Sequence, residues 1–187
     1  MNSFYSEDEL NEIGIRSLGK NVYISRKCSI YGADKIEIGN NVRIDDFCIL
    51  SGRISLGEYI HIAAYSALYG GESGIILDDY VNISSRVSVY SISDDYSGMS
   101  MTNPMIPEKY KKVVSKQVKI GKHAIIGATS IIMPGVEVAE GGAFGTFSFV
   151  NRNTEPWSVY AGIPIRKIKD RRKDILVLED EFRKEVQ

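Results

Sequence analysis

Two histidines, His61 and His123, are the only imidazoles in the chain. An imidazole with its ordinary pKa near 6.5 can take a proton from an attacking hydroxyl near neutral pH, so each is a candidate general base. A catalytic zinc wants about three protein ligands, and two histidines without a Cys/His cluster do not supply them. Cys28 and Cys48 have no metal-type spacing and are too few for a disulfide framework, which suits a reducing cytoplasm. Paired aspartates, Asp94 and Asp95, stand in SISDDYSG, although a carboxylate with a pKa near 4 is a weak base for an alcohol. Residues 166–173, RKIKDRRK, put six cations into eight positions of a chain whose net charge is −1. Such a local cluster suits phosphates. No GxxxxGK[ST] phosphate loop is present.

These residues are positioned by a six-residue rhythm. Ile38, Ile44, Leu50, Leu56, Ile62 and Leu68 follow one another in steps of six, as do Ile120, Ile126, Ile132, Val138, Phe144 and Val150. Leu77, Ile83 and Val89 keep the step after an insertion near GESG, and Leu18, Ile24 and Ile30 precede it with another near GADK. A period of six fits neither a helix nor a long flat strand; it fits short strands joined by sharp corners. If three hexads make one triangular coil, every eighteenth residue stacks on the coil below at about 4.8 Å, and six coils make a prism roughly 29 Å tall. Cys28, Cys48, Ser66, Val87, Ser130 and Ser148 then form one column of small buried side chains. In YIHIAAY, His61 takes an outward position directly beneath Asn82. His123, in IGKHA, reads as a solvated turn residue.

The ends differ from this middle. Ser6 followed by Glu9 has capping-box spacing and predicts a short helix within residues 1–17. Residues 18–154 form the coiled body, interrupted at 90–117 by a segment with paired aspartates, two prolines and three tyrosines, which predicts a protruding functional loop. Residues 155–187 hold the turn AGIP at 161–164 and a C-terminal helix in which Ile175, Leu178 and Phe182 share a face and cap the last coil.

The hexads, the loop-bearing coil and the segment IGKHAIIGATSIIMPGVEVAEGGAFGTFSFVNRNTEPWSVYAGIPIRKIKDR resemble the hexapeptide-repeat acyltransferases, most nearly their sugar and xenobiotic O-acetyltransferases. The resemblance covers residues 18–169. It implies an all-β, left-handed parallel β-helix, a handedness that periodicity alone cannot give. It also implies a homotrimer with acetyl-CoA as donor, and a loop that walls the active site between subunits. In these relatives a histidine at the start of the loop is the general base, and counting from residues 81–89 places Asp94 there instead. Three solutions follow: His61 is the base beside Asn82; Asp94 or Asp95 serves, orients His61 or binds sugar hydroxyls; or the acceptor is an amine that needs no side-chain base. Carried over residue by residue, the pantetheine and nucleotide of the donor run along Ala128, Thr146 and Asn151, with Arg166 and Lys169 near the phosphates. GATS and GTFS stand where relatives read GAGS, so Thr129, Thr146 and Phe147 narrow the groove.

The near-neutral charge argues against nucleic acid, and apolar runs of only a few residues argue against membrane insertion. The start MNSFYSEDELNE lacks the cationic and apolar regions of a leader, so the expected compartment is the cytoplasm. The leading expectation is transfer of an acetyl group to a sugar hydroxyl, as in surface polysaccharide, with His61, Asn82 and Asp94 in the site. N-acetylation of a nucleotide-linked amino sugar is the alternative within enzymes, and a noncatalytic β-helix scaffold the alternative outside them.

Overall fold

A computed structural model describes residues 3–186. The hexad residues are its core: Ile24, Ile44, Leu50, Ile62, Leu68, Ile83, Val89, Ile120, Ile126, Ile132, Val138 and Val150 are fully buried. Only Leu18 and Ile30, on the lowest coil, remain partly open. Strands of two or three residues alternate with corners, because an inward aliphatic every sixth residue can be buried on three faces only if the chain turns one corner per repeat. The result is the left-handed parallel β-helix that the resemblance implies.

Three faces make the prism. On the first, here the His61 face, Tyr23–Ile24, Arg43–Ile44, His61–Ile62, Asn82–Ile83, Ile125–Ile126, Ala143–Phe144 and Ser158–Ala161 stack in parallel. Arg166–Asp170 closes its upper edge antiparallel. The second, the Ser88 face, carries Ser29–Tyr31, Ser88–Tyr90, Ile131–Ile132 and Phe149–Val150. The third, the Lys119 face, carries Ser17–Leu18, Ile36–Ile38, Val118–Ile120 and Glu137–Val138. Two long strands, Ile49–Leu56 and Ala67–Leu77, bend through the corner from the second face into the third. The His61 face thus has a seventh rung beyond the six coils expected, because Ser158–Ala161 resumes stacking after the clock has stopped.

The corner between the Lys119 and His61 faces is a column of left-handed residues: Asn21, Asn41, Tyr59, Tyr80, His123, Gly141 and Trp157 all have positive φ. A left-handed L-residue costs roughly 1–2 kcal/mol. Here each backbone N–H from Asn41 upward donates to a carbonyl of the coil below, at 2.8–3.1 Å. Gly141 interrupts the side chains because a Cβ there would lie 2.5 Å from the Trp157 ring.

α1, Glu7–Glu12, carries the expected capping box between Ser6 and Glu9. α2, Asp174–Val186, does not cap the last coil as expected. It lies along the left-handed corner, with Lys173 over Trp157 at its start and Phe182 edge-on to Tyr59, 5.2 Å away, near its end. Leu178 is 60% exposed, whereas Glu179 is buried. The seam is polar, so the apolar spacing picks the wrong residue.

The excursion from the clock leaves after Ser88–Tyr90 and rejoins at Val118–Ile120, directly above Ile75–Leu77. Ile92–Ser93 and Val114–Ser115 pair antiparallel at its base. Tyr96, Met99 and Met105 at its tip are largely exposed.

Candidate active site

Position along the hexad fixes what each histidine can do. His61 stands outward, in register with Arg43 below and Asn82 above, as the stacking argument predicts. Its Nε2 lies 2.8 Å from the Asp45 carboxylate, which also accepts from Arg43 Nε at 2.7 Å. A carboxylate only accepts, so Nε2–H donates and Nδ1 keeps its lone pair in the neutral ring. Burial pushes the Asp45 carboxyl up, but the His61 and Arg43 hydrogen bonds outweigh it and hold the group below its ordinary range. The His61 side chain is 43% exposed. An oriented, accessible imidazole of this kind can accept a proton.

His123 is the opposite case and corrects the expectation of a solvated turn residue. It is only 3% exposed and stacks on Tyr80 with centroids 5.0 Å apart. Its Nε2 lies 2.7 Å from Glu179 of α2. Burial pushes the Glu179 carboxyl up, but hydrogen bonds from Lys122, Arg183 and His123 overcome it and hold the group at about 2. His123 therefore seats a helix.

Neither aspartate of the loop orients His61 within the chain; Asp45 does. Asp95 accepts from the Ser97 backbone N–H and the Ser100 hydroxyl, both at 2.9 Å, and these bonds bring its carboxyl down to about 2. It shapes the loop. Asp94 is exposed, and its carbonyl accepts from Ser93 Oγ at 3.2 Å. It leaves from the corner between the Ser88 and Lys119 faces, one full strand away from the corner where Asp45 and His61 meet.

That second corner, between the His61 and Ser88 faces, gathers most of the remaining candidates. Asp45, Ser84, Gly127, Gly145 and Ala161 follow the strand ends up one line, and Ala128 and Thr146 stack beside it. The line is tight: a Cβ on Gly127 would lie 2.5 Å from the Phe144 carbonyl. Arg166 pairs in register with Ala161 at the top of this line and Lys169 with Val159. Asn151 lies instead at the far end of the Ser88 face.

Most of the basic cluster is already engaged. Lys167 bridges Glu155 and Asp170, Arg172 binds Asp174, Arg171 donates to the carbonyls of His123 and Gly141, and Lys173 stands over Trp157. Arg166 and Lys169 have no ion pair among the described residues, so their charge is available to an anion. Cys28 and Cys48 are buried, which pushes their thiols to about 12 and about 11 and leaves them inert. Among the described residues no three His, Cys, Asp or Glu side chains converge on a metal position, and no helix is long and apolar enough to cross a membrane.

No family model matches the chain. A dTDP-4-amino-4,6-dideoxy-D-glucose acyltransferase of Escherichia coli is 48% identical over 184 residues, which is 97% of this chain and 95% of that protein. The chain belongs to the hexapeptide-repeat acyltransferases. Within that family, AntD of Bacillus cereus, an N-acyltransferase solved with dTDP and 3-hydroxybutyryl-CoA, superposes with a TM-score of 0.97 at 55% identity, covering all of this chain and 99% of its own. AntD has also been solved as S84A with dTDP-4-amino-4,6-dideoxyglucose and coenzyme A, and as D94A with dTDP and coenzyme A. A putative lipopolysaccharide O-acetyl transferase, WbbJ of Escherichia coli K12, is 25% identical over 151 residues, 79% of this chain and 74% of its own. The acyltransferase is thus built on a prism whose outward corner carries Asp45, His61, Ser84 and the narrow line of Gly127, Gly145 and Ala161. Sequence reasoning missed Asp45 and Ser84. The signal for both was one step past the clock, at the residue following Ile44 and Ile83.

Proposed function

We propose that this acyltransferase moves an acyl group from an acyl-coenzyme A to the amino group of a deoxyamino sugar linked to dTDP. The observation that carries this reading is full-length similarity, at 48% identity, to an acyltransferase for such a sugar. It favours the amine alternative over transfer to a hydroxyl. AntD adds support, because the positions varied in it, 84 and 94, are Ser84 and Asp94 by number in this chain.

The chemistry agrees with the departure at Asp94. An amine attacks a thioester directly once it has lost its proton, so a histidine base at the loop is unnecessary; an anionic carboxylate binds the ammonium and takes up the proton it sheds. The amine nitrogen bonds the acyl carbon, backbone N–H groups hold the oxyanion, and the C–S bond breaks to release the coenzyme thiolate, which takes a proton. Arg166 and Lys169 bind the donor phosphates, and the pantetheine arm follows Ala128 and Thr146. Acetyl-CoA is the simplest donor, and the AntD complex supports longer acyl groups as well.

Ser84 and Asp94 stand on either side of the strand Ser88–Tyr90, at the two different corners that bound the Ser88 face. A site that uses both draws them from neighbouring copies, which supports a homotrimer with shared sites. The reducing cytoplasm is its compartment, in keeping with two buried, unpaired thiols.

One observation favours the hydroxyl reading: the His61–Asp45 pair has the geometry of an oriented base. Thiol release from acyl-CoA, measured against dTDP-4-amino-4,6-dideoxyglucose and against hydroxyl sugars, tests the proposal. The amino sugar should be preferred, and Asp94→Asn should lower kcat/KM on it by roughly a hundredfold. Preference for a hydroxyl acceptor would reject it.

A further inference from the structure

Arg86 stands on the same coil as Ser84, two residues on, and the site described so far gives it no work. Its backbone is fixed: φ is 61°, and its N–H donates to the Ala64 carbonyl at 3.1 Å. Its guanidinium lies 5.4 Å from the centroid of Tyr65. Tyr65 in turn stacks on Phe47 at 5.0 Å, and Lys27 covers the other end of that stack, 5.1 Å from the Phe47 centroid. The two terminal cations differ in one respect. Lys27 is neutralised by Asp46 at 2.9 Å, whereas Arg86 has no ion pair and no side-chain hydrogen bond among the described residues.

An arginine held by an aromatic ring under its face, with its N–H edges free, is a pre-oriented fork for phosphate oxygens. The phosphate could belong to either substrate, and the fold separates the two. Arg166, the donor-side cation, lies four strand spacings further up the prism, on the order of 19 Å away. One diphosphate cannot bridge that gap. We infer that Arg86, backed by Tyr65, binds the diphosphate of the acceptor nucleotide beside Ser84. The inference rests on the proposed function for its ligand and on this corner for its geometry.

Calorimetric titration of dTDP into the wild type, Arg86→Gln and Arg86→Lys is the test, joined by steady-state kinetics with acyl-CoA and the dTDP-linked amino sugar. Arg86→Gln should weaken dTDP binding and raise the acceptor KM by about tenfold or more, while the donor KM and the oligomer mass hold; Arg86→Lys should recover part of the loss. Unchanged dTDP affinity in Arg86→Gln would overturn the inference, as would a rise confined to the donor KM or loss of assembly. Tight dTDP binding that Arg86→Gln weakens, in a wild type that transfers no acyl group to the amino sugar, would sink the proposed function and keep the Arg86 assignment.

Discussion

The chain makes the same pair twice, a histidine Nε2 within 2.8 Å of a carboxylate, and the two copies do different things. His61 meets Asp45 on a strand, where the pleat turns the ring outward and leaves it 43% exposed. His123 meets Glu179 at a left-handed corner, under a helix, and both are buried. One pair faces a place where substrates can come; the other is surrounded by Tyr80, Trp157, Lys122 and Arg183. Spacing within the hexad, more than the identity of the pair, decides whether a histidine is available for chemistry.

The comparison breaks first at the buried pair. His123→Ala empties a buried ring-sized space between Tyr80 and Trp157 and removes one of the three groups that hold Glu179, so it should destabilise the protein by about 3 kcal/mol in chemical denaturation. Glu179→Gln keeps the shape without the charge and should be the milder of the two. If neither variant changes the unfolding midpoint, the helix is not held by this pair. Acid gives a smaller effect with a definite sign. The fold holds Glu179 ionised down to about 2 from an ordinary 4.5, so its contribution is complete above about 4.5 and drains away as pH falls toward 2. Thermal midpoints between pH 7 and pH 3 should therefore fall more steeply for the wild type than for Glu179→Gln. The exposed pair sharpens the contrast: His61→Ala should cost less than about 1 kcal/mol of stability, because a half-exposed pair is screened and solvated.

The coiled body was legible because a buried aliphatic every six residues has few other solutions, and the same arithmetic placed His61 under Asn82. The resemblance pointed to Arg166 and Lys169, and among the described residues these two members of their cluster are the ones that no carboxylate, carbonyl or aromatic ring engages. Asp45 was hidden because it meets His61 across sixteen residues and one coil, at a corner whose direction the repeat does not specify. His123 was misjudged because its burial comes from Glu179, 56 residues later, on a helix whose apolar spacing pointed to Leu178 instead. The departure at Asp94 left amine and hydroxyl acceptors both open in the sequence, and the hydroxyl was the wrong one to lead with on the similarity to an amino-sugar acyltransferase. Under the proposed function the choice turns on how the loop bearing Asp94 meets a neighbouring copy, and side-chain types along one chain do not encode such a meeting.

If Asp94 serves an amine nucleophile, as proposed, His61 is dispensable to the reaction. The direct measurement is the rate of thiol release from acyl-CoA with dTDP-4-amino-4,6-dideoxyglucose, for the wild type, His61→Ala and Asp94→Asn in parallel. The account predicts that His61→Ala stays within about threefold of the wild type while Asp94→Asn falls roughly a hundredfold. A collapse in His61→Ala with Asp94→Asn near the wild type would contradict it.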